Sequence, residues 1–585
     1  MKTKQLVHDA AIIVDDMVEG LVLASPHLVL LKDERVVLHK DFKHIRERQV
    51  TLLSGGGSGH EPAHAGYIGE GMLTGAICGG VFASPSTQQV LSAIRLAAGP
   101  KGCLVIVKNY TGDRINFGLA VEQAKAEGLK VDLVIVGEDV AVVNANAGRR
   151  GLSGTVFIHK LAGAAAAQGQ DLEAIVQLVN GITQSNSVGT MGVAIKACTL
   201  PGQEEQSREL GDDEMELGLG IHGEPGVQKC ELQGVPALTK LLVDQIASVD
   251  TPVGLALGNG SKAVLMVNNL GSTTNMELYV VAKYAIKALE AKGIEVERTV
   301  VGSFMTALDM AGFSLSLWKS NGDAALLKLF DAPTSAPAWS YQATTPAATK
   351  FIDAAPAPAT GKAFVRPSTL TPQAAQLEKC IQAACRALIE SEPELTHWDS
   401  KVGDGDCGTT FKSASEAILA DMAAHYPLDQ PAETLRAIAA SIRHSAGGTS
   451  GVLYDIFFTA GALKLEQLGQ ADASAWAKSF RAGIAAVQKY GGAKEGSRTM
   501  MDALLPAQRA VDDLRATSPN DGLALLVAAA TAADAGADKT RTISTKQAFG
   551  RSGYVGESFA HNIPDPGAKA AAFWLKALQG QVQTL

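Results

Sequence analysis

At 585 residues the chain exceeds the length over which a single hydrophobic core keeps growing, so two or more domains are expected. Hydrophobic residues make up 46% and charged residues 19%, as in a globular protein, and a formal net charge of -9 offers no general attraction to nucleic acid or to an anionic membrane. The seven cysteines are odd in number and contain no CxxC pair, which argues against a disulfide framework and for a reducing compartment, the cytoplasm.

The N-terminus carries Lys2 and Lys4, but Asp9, Asp15 and Asp16 break its apolar run, so it does not read as a signal peptide. No apolar stretch is long enough to span a bilayer. Up to about residue 330, short β-branched runs alternate with helical patterns, the rhythm of an α/β domain. Runs at 50–54, 103–108, 131–136 and 264–267 read as buried strands, each leading into a Gly- or Asn-rich turn. Ligands of such sheets bind beyond the carboxyl ends of the strands.

The turn at 54–62 is Ser-Gly-Gly-Gly-Ser-Gly-His-Glu-Pro. Its glycines bare backbone N–H groups and leave room for a small polar ligand, with His60 at the lip. It ends in Gly-His-Glu where a Walker A loop needs Gly-Lys-Ser/Thr, so nucleotide phosphates are not expected there. The turn at 108–113, Lys-Asn-Tyr-Thr-Gly-Asp, adds the cation of Lys108 and the carboxylate of Asp113. Either turn alone can be structural; together they suit a hydroxylated substrate.

The stretch at 217–226, Leu-Gly-Leu-Gly-Ile-His-Gly-Glu-Pro-Gly, formally matches GxGxxG through Gly218, Gly220 and Gly223. The preceding Gly-Asp-Asp-Glu-Met-Glu is acidic and does not read as a buried strand, so a dinucleotide site is rejected. What remains is His222 among glycines, an accessible imidazole able to shuttle protons or form a covalent bond. Its default reading is a structural or solvated histidine.

Residues 332–367 are rich in Ala, Pro and Thr and read as an extended linker between domains at 1–331 and 368–585. If flexible, such a linker spans roughly 30 Å or more. Beyond it, Thr371 can N-cap a helix that has Pro372 in its first turn, and Leu377, Ile381, Ala384 and Leu388 recur at helical spacing. Ala-rich amphipathic segments then recur to about 580, which gives an all-helical domain of about eight helices with its chemistry in the loops.

Within 398–410, Trp-Asp-Ser-Lys-Val-Gly-Asp-Gly-Asp-Cys-Gly-Thr-Thr, three carboxylates crowd together: Asp399, Asp404 and Asp406. Like charges so close repel unless a cation lies between them, and oxygen-only donors suit a hard ion such as Mg²⁺. An EF-hand fails on spacing, because Gly408 falls where a third ligand belongs. The plain alternative is a solvated Asp-Gly turn. The loop at 446–451, Ala-Gly-Gly-Thr-Ser-Gly, places N–H groups and the Thr449 and Ser450 hydroxyls before a helix, where they can meet an anion or serve as an ordinary helix start.

Taken in order, the segments at 54–62, 108–113, 218–226 and 403–408 resemble the signature segments of the single-chain, ATP-dependent dihydroxyacetone kinases, also called glycerone kinases or triokinases. The resemblance covers essentially the whole chain. It implies an α/β substrate domain followed by an all-α barrel of about eight helices that binds Mg-ATP. It further implies that His222 forms a covalent hemiaminal with the carbonyl carbon of a short sugar, which selects dihydroxyacetone or D-glyceraldehyde over polyols such as glycerol. Gly57, Ser58, Gly59, His60, Lys108 and Asp113 would then hold the substrate, with His60 and Asp113 assisting proton removal. Mg²⁺ would sit on Asp399, Asp404 and Asp406, with ATP also meeting Gly405, Cys407, Thr449, Ser450, Gly491, Thr499, Met500, Asp565, Pro566 and Gly567. Ser497 departs from the Asp the family often has there. A homodimer is implied as well. Two other readings come with the resemblance: cleavage of FAD to AMP and a cyclic flavin phosphate, favoured by Mn²⁺, and a non-enzymatic role binding a phosphocarrier or regulatory protein. Fusion of both domains in one chain argues against the latter.

Overall fold

The run Cys-Leu-Val-Ile-Val-Lys lacks helical periodicity and forms a strand buried along its whole length, Cys103–Lys108, in the computed structural model of the chain. The structure describes residues 5–6, 9–142, 148–343, 351–352, 364–549 and 551–584. They divide into two units, Met1–Phe351 and Ile352–Leu585.

The first unit holds two six-stranded sheets. One contains β1 (Leu28–Leu31), β2 (Val36–His39), β3 (Thr51–Ser58), β4 (Gly75–Val81), β5 (Cys103–Lys108) and β6 (Val131–Val136), in the order β1-β2-β4-β3-β5-β6. From β4 to β6 the strands run parallel, and Gly55 of β3 lies opposite Val107 of β5. The two polar turns that follow these strands in sequence therefore emerge side by side at one carboxyl edge. A Cβ on Gly55 would lie 2.4 Å from the Ile77 carbonyl oxygen, so β3 and β4 approach this closely only with glycine there.

The second sheet contains β7 (Val188–Lys196), β8 (Glu214–Leu217), β9 (Gln228–Glu231), β10 (Lys262–Asn269), β11 (Glu295–Gly302) and β12 (Ala311–Lys319), in the order β11-β10-β12-β7-β8-β9. Helix Thr155–Ala167 is buried on all sides up to Ala166 and shares one core with both sheets. Its Phe157 ring lies 6.3 Å from Trp318 of β12, while His159 Nε2 lies 3.2 Å from Ser54 Oγ of β3.

Three expectations change. The strand expected at 50–54 continues to Ser58, so most of the glycine run is strand, not turn. The end of the acidic stretch ahead of Gly218 does form a strand, Glu214–Leu217, buried from Met215 on, because Arg208 pairs with Glu216 and offsets its desolvation cost. The dinucleotide reading still fails, since β9 and not a helix follows the glycines. Finally, residues 332–341, expected to begin the linker, belong to the first unit's core: Ala336 and Trp339 are buried, and the Ser335 N–H donates to Glu70 O at 3.1 Å. Of the remaining expected linker, 344–350 and 353–363 lie outside the described residues.

The second unit is helical throughout its described residues. Helices Pro372–Glu390, Cys407–His425, Pro431–Ser445, Gly448–Leu468, Ala473–Gly491, Met501–Arg515, Gly522–Lys539 and Pro566–Gln583 each pack on the next, and the last packs on the first. That closed ring is the expected eight-helix barrel. Thr371 caps its first helix by accepting from the Ala374 N–H at 3.2 Å. The ring encloses an apolar cavity of about 750 Å³ lined by residues such as Ile381, Phe411, Ile438 and Phe457. A further helix, Glu392–Val402, was not foreseen. No helix of the described residues is long and apolar enough to cross a membrane.

One buried polar cluster in the first unit makes stability depend on pH. The Ser54 hydroxyl donates to Ile106 O at 2.8 Å, so it accepts from His64 Nδ1 and His159 Nε2, each 3.2 Å away. Burial pushes His159 down to about 3 and His64 well below its ordinary value. Between about pH 3 and 6.5 the unfolded chain binds protons that the folded chain refuses, so stability is full above that window and falls as pH drops through it. Denaturant unfolding of the first unit should lose up to about 1.4 kcal/mol per pH unit below 6.5 for each such histidine. A His159→Asn variant should show a shallower slope, and a flat wild-type profile would contradict the assignment.

Candidate active site

The end of β3 is bare backbone because its neighbours leave no room for side chains. A Cβ on Gly57 would lie 2.7 Å from the Ala83 nitrogen, and Gly59 sits at a φ of +99°, a left-handed conformation suited to glycine. The loop beyond is pinned to a distant segment: the Leu308 N–H donates to Gly59 O at 2.8 Å and the Thr306 N–H to His60 O at 3.1 Å. Thr306 O lies 2.9 Å from His60 Nδ1. A carbonyl can only accept, so Nδ1 carries the proton and Nε2 presents a lone pair, buried and without a partner among the described residues. Burial, with the nearby Lys108 charge, holds His60 well below its ordinary value. The Ser58 hydroxyl donates to Gly79 O at 2.8 Å, so its proton is committed to the backbone.

Lys108 ends β5, and Asp113 lies in the first turn of helix Thr111–Ala126. A Cβ on Gly56 would lie 3.3 Å from both Lys108 Nζ and Asp113 Oδ2, which places these opposite charges under the glycine strand. Asp113 accepts from the Ser84 hydroxyl. Lys108 Nζ is buried, finds no hydrogen-bond partner among the described residues and lies 5.7 Å from the centre of the Tyr110 ring. Burial raises Asp113 against the pull of Lys108, and lowers Lys108 against that of Asp113 and Glu138.

His222 completes the cluster from the turn between β8 and β9. Its ring stands edge-on to Tyr110 at 4.4 Å, His60 at 4.8 Å and Phe82 at 5.6 Å between centroids. Burial first, then the charges of Lys108 and Arg150, push it down to about 3, so the imidazole is neutral at pH 7. The structure thus unites the stretches at 54–62, 108–113 and 217–226. Sequence reasoning missed the aromatic walls, Phe82 and Tyr110; nothing in the sequence around Phe82 sets it apart from a core residue.

The second unit assembles a different cluster. Asp399, on helix Glu392–Val402, is buried and its Oδ2 accepts from the Asp406 N–H at 2.9 Å and the Cys407 N–H at 3.1 Å. That carboxylate joins the end of one helix to the start of the next. The turn between them needs Gly405 at a φ of +81°. Ligand atoms of Asp399, Asp404 and Asp406 then lie within 4.8 Å of one another. An all-oxygen set of one buried and two exposed carboxylates fits Mg²⁺. The Cys407 thiol is pushed up by burial and by its four aspartate neighbours, so it stays protonated and is a poor ligand.

Asp565, one of those neighbours, caps helix Pro566–Gln583 by accepting from the Ala568 N–H at 2.7 Å, and burial pushes it up to about 7. A Cβ on Gly567 would lie 3.8 Å from the Met500 nitrogen, so the loop carrying Thr499 and Met500 abuts Pro566 and Gly567. Asp502 shapes that loop by accepting from the Gly496 and Thr499 N–H groups. Arg498, also unforeseen, ties it down by donating to Thr540 O and Ile563 O, each at 2.6 Å. Thr449 and Ser450 lie within the first turn of helix Gly448–Leu468, which starts earlier than the expected 452. Ser450 and Thr410 both line the cavity inside the ring. Gly491 packs beside Leu453 of that same helix start, where an added Cβ would lie 3.3 Å from Leu453 Cδ2.

The Dak1 domain family matches residues 19–338 and the DAK2 domain family residues 401–580. The sequence is 46% identical to a tomato (Solanum lycopersicum) protein provisionally named a 3,4-dihydroxy-2-butanone kinase, over 98% of both chains. It is 42% identical to the human triokinase/FMN cyclase over the full length of both. The crystal structure of the dihydroxyacetone kinase from C. freundii in complex with AMP-PNP and Mg²⁺ matches with a TM-score of 0.64 at 34% identity, covering 99% of this chain and 100% of that one. With a histidine-rich cluster in the Dak1 region, a carboxylate cluster at the start of the DAK2 region and full-length relatives, the chain belongs to the dihydroxyacetone kinase family.

Proposed function

We propose that the protein transfers the γ-phosphoryl group of ATP to a hydroxyl of dihydroxyacetone, and also accepts D-glyceraldehyde. The observation that carries this reading is the neutral His222 imidazole, packed among His60, Tyr110 and Phe82 beside the buried Lys108–Asp113 pair. The lone-pair nitrogen of a neutral imidazole can add to a carbonyl carbon; the carbonyl π bond breaks, its oxygen gains a proton, the other ring nitrogen gives up its own, and a hemiaminal forms with no atom lost. Glycerol has no carbonyl and cannot make this bond.

Held in that way, the triose hydroxyls meet the bare backbone at Gly57, Ser58 and Gly59 and the charges of Lys108 and Asp113. His60 Nε2, with its lone pair, serves as the base that receives the proton of the attacking hydroxyl, with Asp113 assisting. In the second unit Asp399, Asp404 and Asp406 would hold Mg²⁺, which supplies charge neutralisation to the ATP phosphates. Thr449, Ser450 and the N–H groups of their helix start meet the phosphates, and Gly405, Cys407, Gly491, Thr499, Met500, Asp565, Pro566 and Gly567 form the nucleotide's surroundings. We read the protein as a cytoplasmic homodimer, with the residues between 341 and 368 tethering the domains. The name of the human relative, triokinase/FMN cyclase, favours one second activity; we read it as cleavage of FAD to AMP and a cyclic flavin phosphate, assisted by Mn²⁺, in the same helical unit.

Purified protein with Mg-ATP should release ADP only when dihydroxyacetone is present, and excess chelator should stop it. Asp404→Asn and Asp406→Asn should each cut that rate by more than about a hundredfold while calorimetry shows unchanged triose binding. Triose-independent or chelator-resistant ADP release would count against the kinase, and release of cyclic flavin phosphate from FAD tests the second activity. Native mass spectrometry should show the triose mass retained on the wild-type chain and absent from His222→Ala; its persistence on the variant would remove His222 as nucleophile. Because His60 is assigned as the base, His60→Asn should lower kcat by about 10² to 10⁴ with little change in KM. An unchanged kcat would exclude His60 as the base.

A further inference from the structure

The turn that carries His222 is rich in glycine, and glycine-rich backbone does not hold one conformation by itself. Something else must aim the imidazole. The Glu224 carboxylate lies inside the curve of this turn: its Oε2 accepts from the His222 backbone N–H at 2.7 Å. A Cβ built on Gly220 would lie 1.6 Å from Glu224 Oε1, so the concave side of the turn is filled by that carboxylate and only glycine at 220 admits it. The contact is to the backbone of His222 and not to its ring, which sets Glu224 apart from a carboxylate that shares a proton with an imidazole.

Glu224 is itself held from outside the turn. Arg150 Nη1 donates to Glu224 Oε1 at 3.3 Å and Arg150 Nη2 to Gly218 O at 2.7 Å, so one guanidinium grips both the carboxylate and the start of the turn. Arg150 Nε donates in turn to Asp139 Oδ2 at 2.7 Å, and Asp139, fully buried, accepts from the Ala141 N–H at 2.8 Å. At the other end of the turn, Arg208 Nη1 donates to Gly223 O at 2.5 Å while pairing with Glu216. The histidine's backbone is thus fixed from the inside by Glu224 and its flanking carbonyls are fixed by two arginines.

We propose that Glu224, supported by Arg150 and Asp139, is a positioning residue that sets His222 for attack on the substrate carbonyl. The proposal rests on the reading of His222 as the nucleophile. A turn released from this hold samples other orientations, and the bond that depends on alignment suffers more than the hydroxyl contacts made elsewhere in the pocket.

The test compares dihydroxyacetone with glycerol, which shares the hydroxyls but lacks the carbonyl, on the full chain. Calorimetry should show that Glu224→Ala weakens dihydroxyacetone binding by about tenfold or more while glycerol binding stays the same, and native mass spectrometry should show a matching loss of the adduct. Glu224→Gln, which keeps an oxygen able to accept from the His222 N–H, should restore most of the preference. Gly220→Ala, whose added methyl drives the carboxylate out of the turn, supplies the same loss without touching Glu224, should Glu224→Ala fail to fold. An unchanged dihydroxyacetone-to-glycerol ratio in folded Glu224→Ala or Gly220→Ala, or a Glu224→Gln variant as defective as Glu224→Ala, would overturn the proposal. Absence of any adduct on the wild-type chain removes the nucleophile reading and this inference with it, whereas a wild-type adduct that persists equally in both turn variants removes this inference alone.

Discussion

Addition to a carbonyl requires an imidazole nitrogen with a free lone pair, and in the first unit burial, with the charges of Lys108 and Arg150, keeps His222 in that state. The same burial governs its neighbours. It holds His60 neutral, raises Asp113 and lowers Lys108, so each group is moved toward its uncharged form. Phe82 and Tyr110 supply the walls, and the glycines of β3 let backbone stand where side chains would fill the space. A wetter pocket would restore ordinary protonation and remove the chemical logic of the proposed covalent step.

The second unit follows the opposite electrostatic rule. Asp404 and Asp406 are exposed beside the buried Asp399, and crowding of negative charge there favours a hard cation. Order comes from backbone hydrogen bonds to carboxylates: Asp399 takes two N–H groups across a helix junction, Asp502 takes two from the adjoining loop, and Asp565 caps the final helix. Arg498 adds the complementary hold, giving its protons to carbonyls of the irregular segment that follows helix Gly522–Lys539. Charge is left exposed where a cation can meet it, and is tied to backbone where it shapes loops.

Much of both clusters was legible in the sequence, because the residues that bear chemistry stand in short segments punctuated by glycine. The strands at 103–108 and 131–136 carry the bounds that their sequence predicts, since short apolar runs rich in Val and Ile leave little alternative. Two misreadings come from partners that lie outside the segment being read, and a third from a weak apolar stripe. An acidic strand looked unfit for burial until Arg208 was seen pairing with Glu216. A Pro-rich stretch looked coreless until Trp339 was seen packing near Phe304 and Phe330. Helix Glu392–Val402 has only Leu395, Asp399 and Val402 buried, too thin an apolar stripe to announce itself.

By itself the sequence determined which chemical groups are present and in which local frames: two polar turns after apolar runs, a glycine-rich stretch around His222, three carboxylates within eight residues of chain from Asp399 to Asp406, and a change from α/β to helical patterning. Local spacing suffices for these because turns, caps and helix faces are decided by near neighbours. Only the tertiary structure decided that His60, Lys108, Asp113 and His222 gather in one cluster, that Glu224 and Arg150 grip the turn of His222, and that Asp565 lies beside the carboxylates. Those facts depend on strand order and on burial, which arise from contacts between segments up to hundreds of residues apart, and burial is what turns ordinary side chains into groups with shifted protonation.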